Sequence, residues 1–113
     1  MRRIFLGIAP ASIFICAVTL ALPFCLKADG DAAKVYKTNC ALCHAADGSG
    51  DTASGRALKA KDLRSPEVQG KSDEDLAEVI TKGKGKMPAF GQKLSADVIK
   101  SLVAYIRELP KKK

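Results

Sequence analysis

Two cysteines and the single histidine of the chain stand together as Cys40, Cys43 and His44. Residues three apart share one face of a helical turn, so both thiols point the same way and the imidazole follows them. Two thiols at this spacing can bond to the two vinyl groups of one porphyrin, and the next side chain can then reach the iron. This Cys-x-x-Cys-His pattern is typical of c-type haem attachment. The sequence therefore predicts one haem c, covalently bound through Cys40 and Cys43, with His44 as an iron ligand.

Three other interpretations of the cysteine pair explain the sequence less well. A structural zinc site usually takes four Cys or His ligands, and the chain after residue 28 offers only these three. A thioredoxin-like thiol pair needs a βαβ setting, which no part of the sequence suggests. A disulfide between Cys40 and Cys43 is compatible with an exported protein, but it leaves His44 without a role.

A second axial position on the iron remains, and Met, Lys, Tyr, water or no ligand could fill it. Met87 is the only methionine after Met1, and it lies in a segment with three glycines, at 83, 85 and 91. Glycines disfavour a helix there, and Pro88 favours an extended backbone at Met87. Methionine more commonly fills a core gap, but this one lies in a polar loop. We therefore predict that Met87 is the second metal ligand.

Residues 1–28 differ from the rest of the 113-residue chain, because they hold 20 apolar residues and carry charge only near their ends. A charged start, an apolar centre and a small residue at the exit are typical of a secretory signal. We expect a signal peptide cleaved after Ala28 and an exported, periplasmic domain over 29–113. The alternative is a retained membrane anchor, because the 23 uncharged residues over 4–26 reach the roughly 18 needed to span a bilayer.

Without the leader, the formal net charge falls from +7 to +4, which is too small and too scattered to indicate nucleic-acid binding. Lysines and an arginine flank the haem and methionine motifs, and they would steer an acidic redox partner if they formed one face. They could equally be solvated surface, or pair with a haem propionate. We expect a monomer with redox protein partners and no membrane contact unless the leader is retained. The basic residues concerned are Lys59, Lys61, Arg64, Lys84, Lys86 and Lys93.

Helical patterns account for most of the chain after the leader, and no stretch shows strand alternation. The first helix is predicted over 31–39, leading into the haem motif, and 45–66 is predicted to be mostly loop. Ser72 is a good N-cap for a second helix that ends at Gly83. Ser95 caps the last helix, whose apolar positions recur at helical spacing as far as 109. The fold class is all-α.

These motifs resemble the class I cytochromes c, specifically the small bacterial and c6-like monohaem proteins, over about 29–110. The resemblance rests on Cys40-Ala41-Leu42-Cys43-His44, Lys84-Gly85-Lys86-Met87-Pro88-Ala89-Phe90 and, as support, the turn 46–50 and the segment 102–106. It implies three to four helices around one haem, with the first and last helices crossing near Tyr36 and Tyr105.

One departure concerns the carbonyl that accepts a hydrogen bond from the proximal imidazole. The family often has a proline near it, whereas this chain has Thr52-Ala53-Ser54-Gly55 there and no proline before Pro66. A backbone carbonyl from that segment could still accept the bond, but the sequence does not say which one.

An iron bound by His44 and Met87 has no open position, which suits one-electron transfer rather than catalysis. Methionine ligation and burial both raise the reduction potential. The sequence therefore predicts a one-electron carrier that is not an enzyme and has no catalytic residues. Two alternatives are a haem subunit docked permanently in a larger oxidase or dehydrogenase, and a small haem peroxidase.

Overall fold

The computed structural model describes residues 29–112, and the predicted signal peptide over 1–28 lies outside them. Within this part of the chain there are six α-helices and one closing 3₁₀ turn, and the only bridge pairing joins Lys84 to Met87. No helix of the described residues is long and apolar enough to cross a membrane. The elements are α1 (Asp29–Asn39), α2 (Ala41–His44), α3 (Ala53–Leu58), α4 (Pro66–Gln69), α5 (Asp73–Lys82), α6 (Ala96–Glu108) and the 3₁₀ turn (Leu109–Lys111).

The predicted all-α fold is confirmed. The expected three to four helices correspond to the three long ones, α1, α5 and α6, and to the shorter α3, while α2 and α4 are single turns. The last predicted apolar position, Leu109, lies in the 3₁₀ turn just beyond α6, where it is fully buried.

The core is built around α6, which packs against both α1 and α5. Tyr36 of α1 is only 1% exposed, and the centroid of its ring lies 5.0 Å from that of Tyr105 on α6. The two rings are tilted by 43°, an arrangement that aromatic pairs favour. The crossing of the first and last helices near these two tyrosines is therefore confirmed.

Serine hydroxyls begin three of the helices. Ser65, Ser72 and Ser95 accept hydrogen bonds from the backbone amides of Val68, Asp75 and Val98, respectively. Each bond satisfies an amide that has no partner within its own helix. The predicted caps at Ser72 and Ser95 are confirmed, as is the end of α5 at Gly83.

The prediction that 45–66 is mostly loop is wrong for α3, which occupies its centre. Thr52 begins this helix, because its hydroxyl accepts from the amide of Gly55 at 2.8 Å. Ser54 and Gly55 have lower helix propensity than alanine, and we infer that tertiary contacts described below help to stabilise this short helix. The first helix also starts at Asp29, two residues before the predicted position.

Candidate functional site

The four predicted site residues, Cys40, Cys43, His44 and Met87, all line one cavity of about 550 Å³. Cys40 reaches it from just before α2, Cys43 and His44 reach it from the last two positions of α2, and Met87 reaches it from the loop between α5 and α6. The structure therefore brings together two motifs that are more than forty residues apart in the sequence. We call residues 40–63 the proximal segment and residues 83–91 the methionine loop.

The walls of the cavity are mainly apolar, and they come from every long helix. A volume of this size lies within the range of small-molecule and cofactor sites, and apolar walls suit a large aromatic macrocycle. The cavity also offers two thiols that could attach a porphyrin and an imidazole and a thioether that could bind iron, which are the side chains typical of a c-type haem site. The residues present therefore fit this group. The apolar lining includes Tyr36, Leu63, Val68, Leu76, Ile80, Phe90, Leu94, Leu102 and Ile106.

The two cysteines are free, partly buried thiols. Burial, and to a lesser extent the neighbouring Cys43, raises the pKa of Cys40 to about 11. Cysteines that work in thiol–disulfide exchange have a lowered pKa, because the thiolate is the reactive form. The environment of Cys40 has the opposite effect, which argues against the thioredoxin-like interpretation.

The imidazole of His44 is oriented by a backbone carbonyl. Its Nδ1 lies 3.1 Å from the carbonyl oxygen of Lys61, and because a carbonyl only accepts, Nδ1 must carry the proton. In the neutral ring this leaves Nε2 free to bind a metal. Such a hydrogen bond fixes the ring and raises its basicity as a ligand.

The accepting carbonyl, which the sequence left open, does not come from 52–55 but from Lys61. The carbonyls of Thr52 and Gly55 are already used inside and just after α3, by the amides of Arg56 and Ala60. Once α3 forms, the first carbonyl that faces His44 comes from Lys61, in the extended stretch after this helix. No sequence signal identifies it, because the contact depends on how α3 packs.

Thr52 and Gly55 are site-supporting residues that the sequence did not reveal. The hydroxyl of Thr52 donates to the carbonyl of Leu42 at 2.7 Å and lies 3.4 Å from that of Cys43. A Cβ atom at Gly55 would overlap the carbonyl oxygens of Cys43 and Gly50. Helix α3 therefore packs backbone to backbone against the haem motif. The three-residue spacing of Thr52 and Gly55 is the one available signal, since it suits an N-cap.

Tyr36 lies one turn before Cys40 and also lines the cavity. Its hydroxyl donates to the carbonyl of Ala45 at 2.8 Å. Burial, and secondarily the neighbouring Cys40, raises the pKa of the phenol well above its usual value. The hydroxyl is therefore a permanent neutral donor at physiological pH.

The methionine loop is a tight turn closed by a pair of backbone hydrogen bonds. The amide of Lys84 donates to the carbonyl of Met87 at 3.2 Å, and the amide of Met87 donates back to the carbonyl of Lys84 at 3.0 Å. Gly83 and Gly85 have φ values of +74° and +58°, a region that favours glycine. The glycines that disfavour a helix are thus the residues that shape the turn and place Met87 on the cavity.

Lysines surround the cavity, but only some of the predicted ones. Lys59, Lys61, Lys84 and Lys86 line it, and Lys71 joins them, whereas Lys93 does not line it. The ammonium of Lys61 lies 3.0 Å from the carboxylate of Glu67, and this hydrogen-bonded ion pair lowers the pKa of Glu67.

Arg64 is the other predicted basic residue outside the lining. Its guanidinium pairs with the carboxylates of Asp62 at 3.0 Å and Asp47 at 3.5 Å. The hydrogen bond from Arg64 is the main cause of a lowered pKa at Asp62. These carboxylates offset the charge of Arg64, so the basic rim consists of lysines.

Comparison with known sequences agrees with this geometry. The family described as "Cytochrome C oxidase, cbb3-type, subunit III" matches residues 28–106. Cytochrome c6 of Leptolyngbya boryana is 39% identical over 80 residues, which cover 70% of this chain and 89% of that protein. The cbb3-type cytochrome c oxidase subunit FixP of Azorhizobium caulinodans is 34% identical over 79 residues, which cover 68% of this chain and 26% of that protein.

A solved structure, the KustC0563 c-type cytochrome, superposes with a TM-score of 0.64 at 34% identity. The match covers 69% of this chain and 95% of that one, so nearly the whole fold of the neighbour is present. The resemblance drawn from the motifs is thereby confirmed, and so is the expectation of a covalently bound haem. The chain belongs to the class I monohaem c-type cytochromes, small electron carriers that hold a covalent haem.

Proposed function

We propose that Cys40 and Cys43 would attach the haem and that His44 and Met87 would bind its iron. The observation that carries this assignment is the single apolar cavity that all four side chains line. His44 supports it further, because its Nδ1–H bond to Lys61 leaves Nε2 as the free nitrogen.

In this proposal the chain provides a dry, fixed environment for electron transfer. When bound, the haem supplies an iron that gains and loses one electron. The Lys61 carbonyl fixes the proximal imidazole, while the turn of the methionine loop holds the thioether in place. Apolar walls and methionine ligation both favour the less charged ferrous state and raise the reduction potential. With both axial positions filled, we expect the chain to act as a carrier and not as an enzyme.

The replacement M87L tests the assignment of Met87, because leucine keeps most of the apolar volume and removes the sulfur. We expect the ferric protein to lose its methionine-to-iron charge-transfer band, the reduction potential to fall, and carbon monoxide to bind the reduced protein rapidly. F90L, a change at another cavity-lining residue of the same loop, is the control and should keep the band. Persistence of the band in M87L would remove Met87 from the ligand role.

The cysteine assignment is tested by C40A, C43A and the double variant. Each single variant should keep the haem through denaturing electrophoresis by its remaining thioether, with a shifted pyridine haemochrome band. The double variant should lose the haem under the same conditions. Haem retention by the double variant would contradict attachment at these residues.

We further propose that partners dock over the cavity mouth. The only two large apolar side chains that are well exposed within the described residues, Leu42 (73%) and Leu58 (42%), both line the cavity. Five lysines surround it, and since Glu67 offsets only the charge of Lys61, the surface combines an apolar centre with a basic rim. Such a surface fits an acidic redox protein and would steer it at a salt-dependent rate.

Charge reversal at the rim tests this docking surface. K86E should slow electron exchange with an acidic partner protein at low salt, and the difference from the wild type should vanish at high salt. K100E makes the same change on an exposed residue of α6 that does not line the cavity. Equal slowing by K86E and K100E would show that the rate depends only on net charge, and it would contradict docking at the cavity mouth.

A free carrier is favoured over a permanently docked haem subunit. The matched region covers 89% of cytochrome c6 but only 26% of FixP, so the similarity to the carrier extends over nearly its whole length. In gel filtration of a native extract, the haem should elute near the mass of a monomer. Elution with a large complex would favour the subunit, and rapid carbon monoxide binding by the unaltered protein would favour a peroxidase.

The export proposal concerns residues 1–28, which lie outside the described structure. It is supported by the charged start, the apolar centre and the small residue Ala28. We expect a periplasmic protein whose mature chain begins at Asp29. Mass spectrometry of the purified protein distinguishes this from a retained anchor, because the anchored form would keep the leader's mass.

A further inference from the structure

The residue after His44 has an unusual backbone conformation. Ala45 has φ 63° and ψ 162°, a combination that is essentially confined to glycine. Lys59, which also has a positive φ, lies instead in the ordinary left-handed region at φ 56° and ψ 45°. Ala45 therefore carries backbone strain that the surrounding structure must hold in place.

The hydroxyl of Tyr36 is the side-chain group that holds this conformation. It donates to the carbonyl of Ala45 at 2.8 Å, whereas the second donor to that carbonyl, the amide of Gly48, lies at 3.2 Å. The ring of Tyr36 is 1% exposed and packs against Tyr105. A fully packed ring has little freedom to move, so the hydroxyl is fixed relative to the core of the two long helices.

The peptide that joins His44 to Ala45 connects this hydrogen bond to the proximal imidazole. Four other hydrogen bonds act on His44 or on this peptide. Two are donated by backbone amides, from His44 to the carbonyl of Cys40 at 2.9 Å and from Ala45 to the carbonyl of Ala41 at 3.0 Å. The amide of Gly50 donates to the carbonyl of His44 at 2.8 Å, and Nδ1 contacts the Lys61 carbonyl at 3.1 Å. If the backbone at Ala45 relaxed against these bonds, the peptide plane after His44 would rotate. The imidazole would then move relative to the Lys61 carbonyl, whose bond lies near the long end of the usual range.

We propose that Tyr36 is a positioning residue for the proximal ligand: its hydroxyl keeps Ala45 strained and thereby keeps the imidazole of His44 aligned with the Lys61 carbonyl. This inference rests on the proposed ligation of iron by His44. It assigns to the hydroxyl of Tyr36 a role that the packing of its ring does not supply, since phenylalanine would fill the same volume.

The test compares Y36F, Y105F and the double variant Y36F/A45G as haem-loaded proteins. In Y36F the hydrogen bond from His44 Nδ1 should weaken, so its proton should exchange with solvent roughly tenfold faster, the factor for one lost hydrogen bond. The imidazole becomes less basic, so the reduction potential should rise. Y105F removes a hydroxyl from the other ring of the pair and should leave both readouts unchanged.

The double variant separates positioning from simple destabilisation. Glycine at position 45 adopts the required φ without strain, so Y36F/A45G should restore the potential and slow the exchange of the ring proton towards the wild-type rate. If Y36F only lowers the unfolding midpoint, with unchanged potential and ring-proton exchange, the proposal is overturned. Failure of A45G to restore these readouts in the double variant also overturns it.

NMR spectra of the wild-type protein distinguish a failure of the proposed iron ligation from a failure of the positioning role of Tyr36. If His44 binds iron, its ring resonances shift strongly when the protein is oxidised. Absence of that shift contradicts the proposed ligation itself. Its presence, together with a silent Y36F variant, contradicts only the positioning role of Tyr36.

Discussion

The proximal segment and the methionine loop contribute to the same cavity but are held in different ways. Short backbone hydrogen bonds connect different parts of the proximal segment. The amide of Leu63 donates to the carbonyl of Gly48 at 2.7 Å, and the amide of Gly50 donates to the carbonyl of His44 at 2.8 Å. The methionine loop has one internal pair of bonds and is anchored at its far end, where Phe90 and Gly91 donate to the carbonyls of the last turns of α5.

Their surroundings differ as well. Backbone packs directly on backbone where Gly55 meets the haem motif. At the two ends of the methionine loop, a Cβ on Gly83 or Gly91 would also come within 3 Å of backbone atoms, whereas nothing lies within 4 Å of a Cβ placed on Gly85 at its tip. In the methionine loop the lysines, Gly85 and Pro88 are all exposed. We infer that the proximal side of the cavity is rigid and that the tip of the methionine loop is adjustable. Changes in the first should cost stability, and changes in the second should alter ligand exchange.

The largest difference in the free energy of unfolding is expected between variants at Gly55 and at Gly85. G55A would force a methyl group onto the carbonyls of Cys43 and Gly50, which should lower the free energy of unfolding by about 3 kcal/mol or more. G85A introduces strain only, because φ is +58° in open space, and should cost roughly 1 kcal/mol. Denaturant unfolding of both holoproteins measures the difference. Equal losses would mean that the two sides are equally rigid.

A smaller difference in the free energy of unfolding is expected between variants of the helix N-caps Thr52 and Ser95. T52V removes the N-cap of α3 and also the donor to the carbonyl of Leu42, so it should cost about 2 kcal/mol. S95A removes only the cap of α6 after the methionine loop and should cost about 1 kcal/mol. Unfolding curves at neutral pH measure both, and T52S should recover most of the loss. A T52V variant no less stable than S95A would argue against a stabilising hydrogen bond from Thr52 to the carbonyl of Leu42.

In the methionine loop, P88A should change the rate at which carbon monoxide binds the reduced protein. Replacing the proline removes the restriction that it places on the backbone of Met87, so the thioether should leave the iron more readily. Carbon monoxide should therefore bind the reduced protein a few-fold faster. The free energy of unfolding should fall by about 0.4–1 kcal/mol, because alanine gives the unfolded chain more freedom. P66A, in the first turn of α4, is the control and should not change this rate. Stopped-flow mixing measures both, and an unaltered rate in P88A would show that the loop is as rigid as the proximal segment.

The smallest effect concerns acid stability at the rim of the proximal segment. The hydrogen bond from Arg64 lowers the pKa of Asp62 in the folded state, so this interaction stabilises the fold above the unfolded value of about 3.9. The contribution is lost as the pH falls below that value through the folded pKa. D62N should thus be less stable than the wild type at pH 7 and equal to it at low pH.

The size of this effect is limited, because the side chain of Asp62 is 41% exposed and solvent screens the pair. A series of unfolding curves between pH 7 and pH 2 measures the difference between the two proteins. In the R64Q background the same substitution should have a smaller pH-dependent effect, and the remainder comes from the backbone amide of residue 64, which still donates to Asp62. A constant difference across the series would contradict the assignment to Arg64.

The proposed haem-binding residues could be identified from the sequence because their signals are local. Cys40, Cys43 and His44 are contiguous, and Met87 is marked by its glycines and Pro88. The caps at Ser72 and Ser95 were equally accessible, since each depends on a bond to an amide three residues ahead.

The supporting residues could not be predicted in the same way. The carbonyl of Lys61, the hydroxyl of Thr52 and the missing side chain of Gly55 act through contacts with other parts of the chain. They depend on α3, which has a weak local signal and is stabilised by packing against the haem motif. The sequence thus predicts the atoms that would touch the haem, and the structure adds those that hold them.

The crossing of α1 and α6 has a consequence for the order of events during biogenesis. The haem motif directly follows α1, but part of the wall opposite it belongs to α6, near the end of the chain. Bringing two such distant segments together carries a loop-closure cost, and the core cannot close before α6 is available. We therefore expect the thiols to be accessible while the chain is still open. We would expect the haem to be joined to an open chain and then to offer the apolar surface on which the later helices assemble.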